Sequence, residues 1–280
     1  MATRKIDLAP VRADAPILVF DSGIGGLSVL DAIRRHLPGA PVIYAADNAG
    51  FPYGIRTEAE IAARVAGLLG RIAERFAPRL ACIACNTAST IALGMVREVL
   101  HIPIVGTVPA IKPAATLTRT GIIGLVGTEA TIRQPYVDQL KADFAPACTL
   151  IRVAAPQLVV AAEEKLRGRQ VDGALVANVV NDLRARISAP DIAQDKSMDV
   201  LILACTHFPL LAEEFAAALG PQIRLVDGAD GIARRIAALT KEQQFSRSGP
   251  DIALFTGADS TLDDLRPELS RRALETIQIF

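Results

Sequence analysis

Short apolar runs alternate with helix-patterned segments along this chain. That alternation predicts an α/β protein: two similar doubly wound α/β domains with mainly parallel sheets facing a shared cleft. Two pairs of echoes support the doubling. Apolar runs end alike at Ala84-Cys85 and Ala204-Cys205, each followed by polar residues and then a helical pattern. Two others end alike in small polar residues, at Asp21-Ser22 and Gly127-Thr128. In open α/β sheets the ends of such strands are where ligands bind.

In chain order, residues 16–20 are the first strand, 21–26 a turn and 27–36 a helix with Leu27, Leu30 and Ile33 on one side. Pro38-Gly39 stops that helix, and a second strand spans 42–46. A loop over 48–56 carries Pro52-Tyr53-Gly54, and Thr57 with Glu60 forms a capping box for a helix reaching about residue 76. Residues 80–84 read as a buried strand. The helix after Cys85 shows Ile91, Met95 and Val99 at spacing four. A short strand at 102–105 leads to a crossing region over 107–120, and 122–126 is the next strand. Helix, strand, helix and strand follow to Cys205. Residues 224–226 form a strand, 230–240 a helix, 241–250 a loop and 251–255 the last strand. No short-period repeat is visible.

The 280 residues suffice for one large or two medium domains, and 51% are hydrophobic, so a sizeable core can be buried. Thirty basic residues balance thirty acidic ones, which leaves no nucleic-acid footprint. The N-terminal stretch, 1–15, is polar, without a signal-peptide core, and no apolar run approaches a membrane span. A cytoplasmic chain is expected, in which four cysteines would not form structural disulfides.

The turn at Asp21-Ser22-Gly23-Ile24-Gly25-Gly26 invites a dinucleotide reading, with Asp47 as the ribose acid. But Ser28 stands at the last glycine position, and the leading carboxylate would repel phosphate and favour an ammonium group. The glycines are expected to serve backbone geometry. Cys82 and Cys85 have C-x-x-C spacing, yet an odd offset on a strand puts them on opposite faces. Three scattered histidines supply a zinc site poorly. Cys82 and Cys148 read as small packed residues. Glu163-Glu164 would by itself read as a solvated helix face.

Cys85 and Cys205 are different, because two matched thiols at strand ends need a common explanation. A hydrolase pairing Cys205 with His207 would leave Cys85 unexplained. Two thiols on opposite walls of a cleft explain both: one removes a proton from carbon and the other delivers a proton to the opposite face. His207 is placed to tune Cys205.

The chain resembles the glutamate racemases, cofactor-independent enzymes of bacterial cell-wall synthesis, from about residue 17 to residue 257. The resemblance rests on Val-Phe-Asp21-Ser22-Gly-Ile-Gly-Gly-Leu-Ser, Asp47 with Pro52-Tyr53-Gly54, Ala-Cys85-Asn86-Thr87-Ala-Ser, Gly-Thr-Val-Pro-Ala-Ile-Lys112-Pro, Val-Gly127-Thr128-Glu-Ala-Thr131 and Ala-Cys205-Thr206-His207-Phe-Pro-Leu-Leu. It implies interconversion of L- and D-glutamate without pyridoxal phosphate or metal. Cys85 would work on the D-glutamate proton and Cys205 on the L-glutamate proton, assisted by Asp21 and His207. The residues implied at the substrate are Asp21, Ser22, Pro52, Tyr53, Gly54, Asn86, Thr87, Thr128, Thr131, Thr206 and His207. Residues 155–160 resemble the family's proline-bracketed strand leading to an assisting glutamate, matched by Glu163 or, in the neighbouring register, Glu164. The family fold implies a discontinuous first domain, 1–112 with 228–280, and a second domain, 113–227. Glutamate is the implied partner, with neither nucleic acid nor membrane, and a homodimer is compatible. A racemase of aspartate or of several acidic amino acids, or an amino-acid-binding sensor, are the competing readings.

Overall fold

A computed structural model describes residues 11–188 and 197–280; most of the polar N-terminal stretch lies outside them. The elements run β1 (Ile17–Asp21), α1 (Leu27–His36), β2 (Val42–Ala46), α2 (Glu58–Phe76), β3 (Leu80–Ile83), α3 (Asn86–Val99), β4 (Ile104–Gly106) and α4 (Ile111–Leu117). They continue with β5 (Ile122–Gly127), α5 (Glu129–Ile132), α6 (Pro135–Phe144), β6 (Thr149–Ala154), α7 (Gln157–Leu166), α8 (Gly173–Ile187), β7 (Val200–Ala204) and α9 (Ala212–Leu219). Last come β8 (Arg224–Val226), α10 (Ala229–Leu239), β9 (Ile252–Phe255), α11 (Arg266–Ser270) and β10 (Thr276–Ile279).

The strands form two sheets, β10-β9-β2-β1-β3-β4 and β6-β5-β7-β8, and every pairing in them is parallel. Parallel strands joined through helices bury both faces, which is why they read as continuous apolar runs. Side-chain alternation then sorts each strand between two cores. In β1, Ile17 and Val19 join the core that holds α1 and α10, while Leu18 and Phe20 join the core under α2 and α3. In β5, Ile122 and Val126 face the core with α7 and α8, while Ile123 and Leu125 face the core with α4 and α6.

Local signals explain the helices. The α2 capping box is complete: Thr57 Oγ1 accepts from Glu60 N at 3.3 Å, and Glu60 Oε2 accepts from Thr57 N at 2.9 Å. Ile61, Val65, Leu69 and Ile72 form its buried face. Ala77, in the left-handed region at φ 45°, and the following Pro78 end it.

The crossing region between the two sheets holds a helix, α4. Two expectations need correction. Residues 251–255 are not the last strand, because β10 pairs beyond β9 at the sheet edge. Residues 155–160 are not a strand: β6 ends at Ala154, and Pro156 opens α7. The spacing of Ile91, Met95 and Val99 falls in a helix as expected, α3. Met95 and Val99 are exposed, and the helix packs through Ala88, Ala92 and Val96.

Candidate active site

Strand order locates the site. In the larger sheet the chain departs in opposite directions on either side of β1, so the crevice between the carboxyl ends of β1 and β3 is a topological switch point. Ser22 follows β1, and Cys85 follows β3. In the smaller sheet the same argument selects β5 and β7, which are followed directly by Thr128 and Cys205. The two switch points open into one cavity of about 170 Å³. Ser22, Pro52, Tyr53, Gly54, Cys85, Asn86, Thr87, Thr128, Cys205, Thr206 and His207 line it.

Cys85 is the N-cap of α3. Its sulfur accepts from Ala88 N at 3.5 Å and lies 3.6 Å from Ser22 Oγ. Burial, and then the nearby charge of Asp21, push the Cys85 thiol well above the usual thiol range. Asn86 and Thr87 form the first turn of α3, where free N–H groups favour an anion. Asn86 Oδ1 is buried without a hydrogen-bond partner, an acceptor awaiting a donor. Thr87 Oγ1 and Thr128 Oγ1 meet across the two halves at 3.0 Å.

On the other wall, Cys205 Sγ lies 3.7 Å from His207 Nδ1. His207 Nε2 meets Glu163 Oε1 at 2.9 Å, and Ile24 N donates to the same oxygen at 2.7 Å. Burial alone would lower the His207 pKa, but Cys205 and Glu163 hold it well above the ordinary imidazole value. Burial likewise opposes ionisation of Glu163, and His207, Ile24 N and Arg167 together bring its carboxyl below the ordinary value. The carboxylate of Glu163 and the sulfur of Cys205 thus favour the charged imidazole, which stands between them.

Some expected residues stand back from the cavity. Asp21 is fully buried beneath it; its carboxylate accepts from Ser22 N at 2.8 Å, Gly26 N at 2.6 Å and Thr206 Oγ1 at 3.4 Å. Burial raises its pKa, against the pull of His207 and the two backbone donors. Asp21 therefore holds Ser22 and Thr206 in place rather than facing the cavity. Thr131 does not line the cavity either: it is fully buried behind Thr128, 3.0 Å from its hydroxyl. Glu163 lies behind His207 and is no solvated surface residue. Glu164 instead pairs with Arg169 at 2.5 Å, so Glu163 is the register that meets the histidine. Tyr53 turns its hydroxyl away to Asp47 Oδ2, at 2.6 Å, so its ring and main chain remain for the cavity. Asp47, also held by Arg64 and Thr256, anchors the 48–56 loop to the C-terminal segment.

The glycines of the first turn need a different explanation from the expected one. Neither Gly23 nor Gly25 has a positive φ. A Cβ on Gly25 would lie 2.6 Å from His207 Cγ, and one on Gly23 would strike Glu163 Oε1 and come within 3.0 Å of Phe51. They are glycine because side chains of the smaller-sheet half press against the turn. Sequence reasoning also passed over Ser28, whose hydroxyl donates to Thr206 O at 2.9 Å, and Val159 and Val160, which line the cavity from α7. Only the failed G-x-G-x-x-G register had singled out Ser28.

A sequence model described as Asp/Glu/Hydantoin racemase matches residues 25–236. A glutamate racemase of Sphingopyxis alaskensis is 57% identical over 251 residues, covering 89% of this chain and 91% of that protein. The glutamate racemase of Salmonella typhimurium is 43% identical over 271 residues, covering 96% and 93%. A crystal structure of Escherichia coli glutamate racemase, in complex with L-glutamate and the activator UDP-MurNAc-ala, superposes with a TM-score of 0.86 at 40% identity, covering 95% of this chain and 98% of that one. The chain belongs to the Asp/Glu/Hydantoin racemase family, among its glutamate racemases.

Proposed function

We infer that this protein interconverts L- and D-glutamate by a two-base reaction at Cys85 and Cys205. One observation carries the mechanism: two thiols, from strand ends of different sheets, line a single cavity. That cavity is smaller than the roughly 300–1,000 Å³ of pockets for drug-sized ligands and suits a small metabolite. Starting from L-glutamate, Cys205 as thiolate takes the α-proton and Cys85 as thiol delivers one to the opposite face. From D-glutamate the roles reverse. The upward push on Cys85 fits its role as the acid in the first case. His207 Nδ1, 3.7 Å from the Cys205 sulfur, is placed to support negative charge there.

The α-proton of an amino acid is weakly acidic, so the developing carbanion needs placed donors and exclusion of water. Asn86 Oδ1 is suited to the substrate ammonium. The first turn of α3, with the hydroxyls of Ser22, Thr87, Thr128 and Thr206, is suited to the carboxylates, and Pro52, Tyr53 and Gly54 close one side. Asp21 acts through Ser22 and Thr206, Thr131 through Thr128, and Glu163 through His207. The reaction needs no cofactor, so dialysis against EDTA or treatment with hydroxylamine leaves activity intact.

The product would supply D-glutamate for peptidoglycan in the cytoplasm; among the described residues no helix is long and apolar enough to cross a membrane. We assign residues 1–112 with 228–280 to one domain and 113–227 to the other. Sheet membership supports that division, because β9 and β10 return to the sheet of β1–β4. A homodimer is the assembly to look for by sedimentation.

The test is chiral chromatography of L-glutamate and L-aspartate incubated with the protein in deuterated water. Glutamate racemises, and its D product carries deuterium at Cα; aspartate does not racemise. Cys85→Ala and Cys205→Ala each abolish racemisation. Racemisation of aspartate instead would move the substrate assignment, and near wild-type racemisation by either alanine variant would remove that cysteine as a base.

A further inference from the structure

Behind His207 the structure contains a second arrangement, joined to it through Glu163. The Glu163 carboxylate is held at both ends. Oε1 meets Ile24 N and His207 Nε2, and Oε2 accepts from Arg167 Nη1 at 2.7 Å. Arg167 follows the last turn of α7 and also donates to Glu163 O at 3.0 Å. Its side chain is only 8% exposed. The rest of the guanidinium points to the segment after β9: Nε donates to Thr261 Oγ1 at 3.1 Å, and Nη2 lies 3.9 Å from Asp259 Oδ2. Thr261 is fixed in turn on Asp259 by two bonds, of 2.8 Å and 2.9 Å. A residue that merely closed α7 would touch main-chain oxygens alone. Arg167 instead joins a segment beside the larger sheet to the carboxylate that orients His207.

We propose that Arg167 is a positioning residue for the Cys205 half-reaction, holding the Glu163 carboxylate so that His207 stays aimed at the Cys205 sulfur. The proposal rests on the two-thiol racemase reading above. Without Arg167, Oε2 loses its charged partner and the carboxylate can rotate, taking Oε1 off His207 Nε2. Cys85 has separate supports, Ser22 Oγ and Ala88 N, and these do not touch Arg167. The damage therefore falls on one thiol.

A rate alone cannot reveal this. Enantiomers have equal free energy, so kcat/KM is the same in both directions for every variant. Primary isotope effects do separate the two transfers. In ordinary water, α-deuterated L-glutamate gives its deuteron to Cys205, and α-deuterated D-glutamate gives its deuteron to Cys85. For Arg167→Gln, kcat/KM falls by about 10- to 100-fold, as expected when a reacting group is misplaced by a fraction of an ångström to an ångström. The isotope effect on kcat/KM rises for the L substrate and falls for the D substrate, towards the equilibrium effect of moving deuterium from carbon to sulfur. Arg167→Lys, which keeps the charge without the fork, recovers part of the rate. Thr261→Val, which removes only the Nε partner, shifts both isotope effects in the same senses by less, and serves if the glutamine variant does not fold. An unchanged rate, or a fall with the two isotope effects unchanged or moving together, overturns the proposal while leaving the racemase reading intact. A wild-type protein that does not racemise glutamate removes both.

Discussion

At Gly25 the main chain of the first turn lies against the imidazole of His207, so one methyl group is enough to displace the partner of Cys205. Gly25→Ala is expected to lower kcat/KM by about 100-fold through misplacement, and to cost roughly 1–3 kcal/mol of stability through overpacking. Gly70→Ala is the matched control. Gly70 lies inside α2 with nothing within 4 Å of an added Cβ. It should gain about 0.5–1 kcal/mol, because alanine restricts the unfolded chain and suits a helix. Urea denaturation and the racemisation assay on both variants check the contrast; equal behaviour would mean that the His207 contact is unimportant. The same residue scale explains a sequence signal that was visible but misread. Gly23 and Gly25 stood out, yet what they accommodate comes from α7 and from the end of β7, far along the chain.

The helices show which local rules survive in context. Thr57 and Glu60 announce the start of α2 from sequence alone, because both halves of the capping box are local. Thr57→Ala should cost about 1 kcal/mol in urea denaturation. Thr57 is exposed and outside the cavity, so kcat/KM should stay within about twofold, as for surface changes away from special features; a large loss of activity would show that the cap also sets the 48–56 loop. For α3 the spacing of Ile91, Met95 and Val99 signals a helix without naming its buried face, which consists largely of small residues such as Ala88 and Ala92. The short α4 escaped notice because its buried residues, Ile111 and Ala114, are too few to make a period.

Across the whole molecule the cavity walls belong to both sheets, so a bound substrate should tie the halves together. Either enantiomer of glutamate, at about 100 times its Kd, should raise the unfolding free energy by about 2.7 kcal/mol. Cys85→Ser should keep this effect, since the prediction concerns binding rather than proton transfer. Denaturation curves with L-glutamate, D-glutamate and L-aspartate check it. Loss of stabilisation by both enantiomers of glutamate would count against the cavity as the binding site.

The α/β class, most strand positions, the doubling and the two thiols were all legible in the amino-acid order, because each depends on short-range periodicity or on a local strand-end pattern. The motif match to the glutamate racemases supplied the identities of Asn86, Thr87, Thr128 and Thr206 at the same level. What only the tertiary structure decided was depth and orientation. It put Asp21 and Thr131 behind the cavity wall, turned the Tyr53 hydroxyl onto Asp47, and chose Glu163 over Glu164 to meet His207. It also brought Arg167 to Asp259 and Thr261, residues of a segment that returns beside the larger sheet after β9. Such contacts join side chains distant in sequence, and their geometry is set by the packing of whole sheets and helices, which no local pattern encodes.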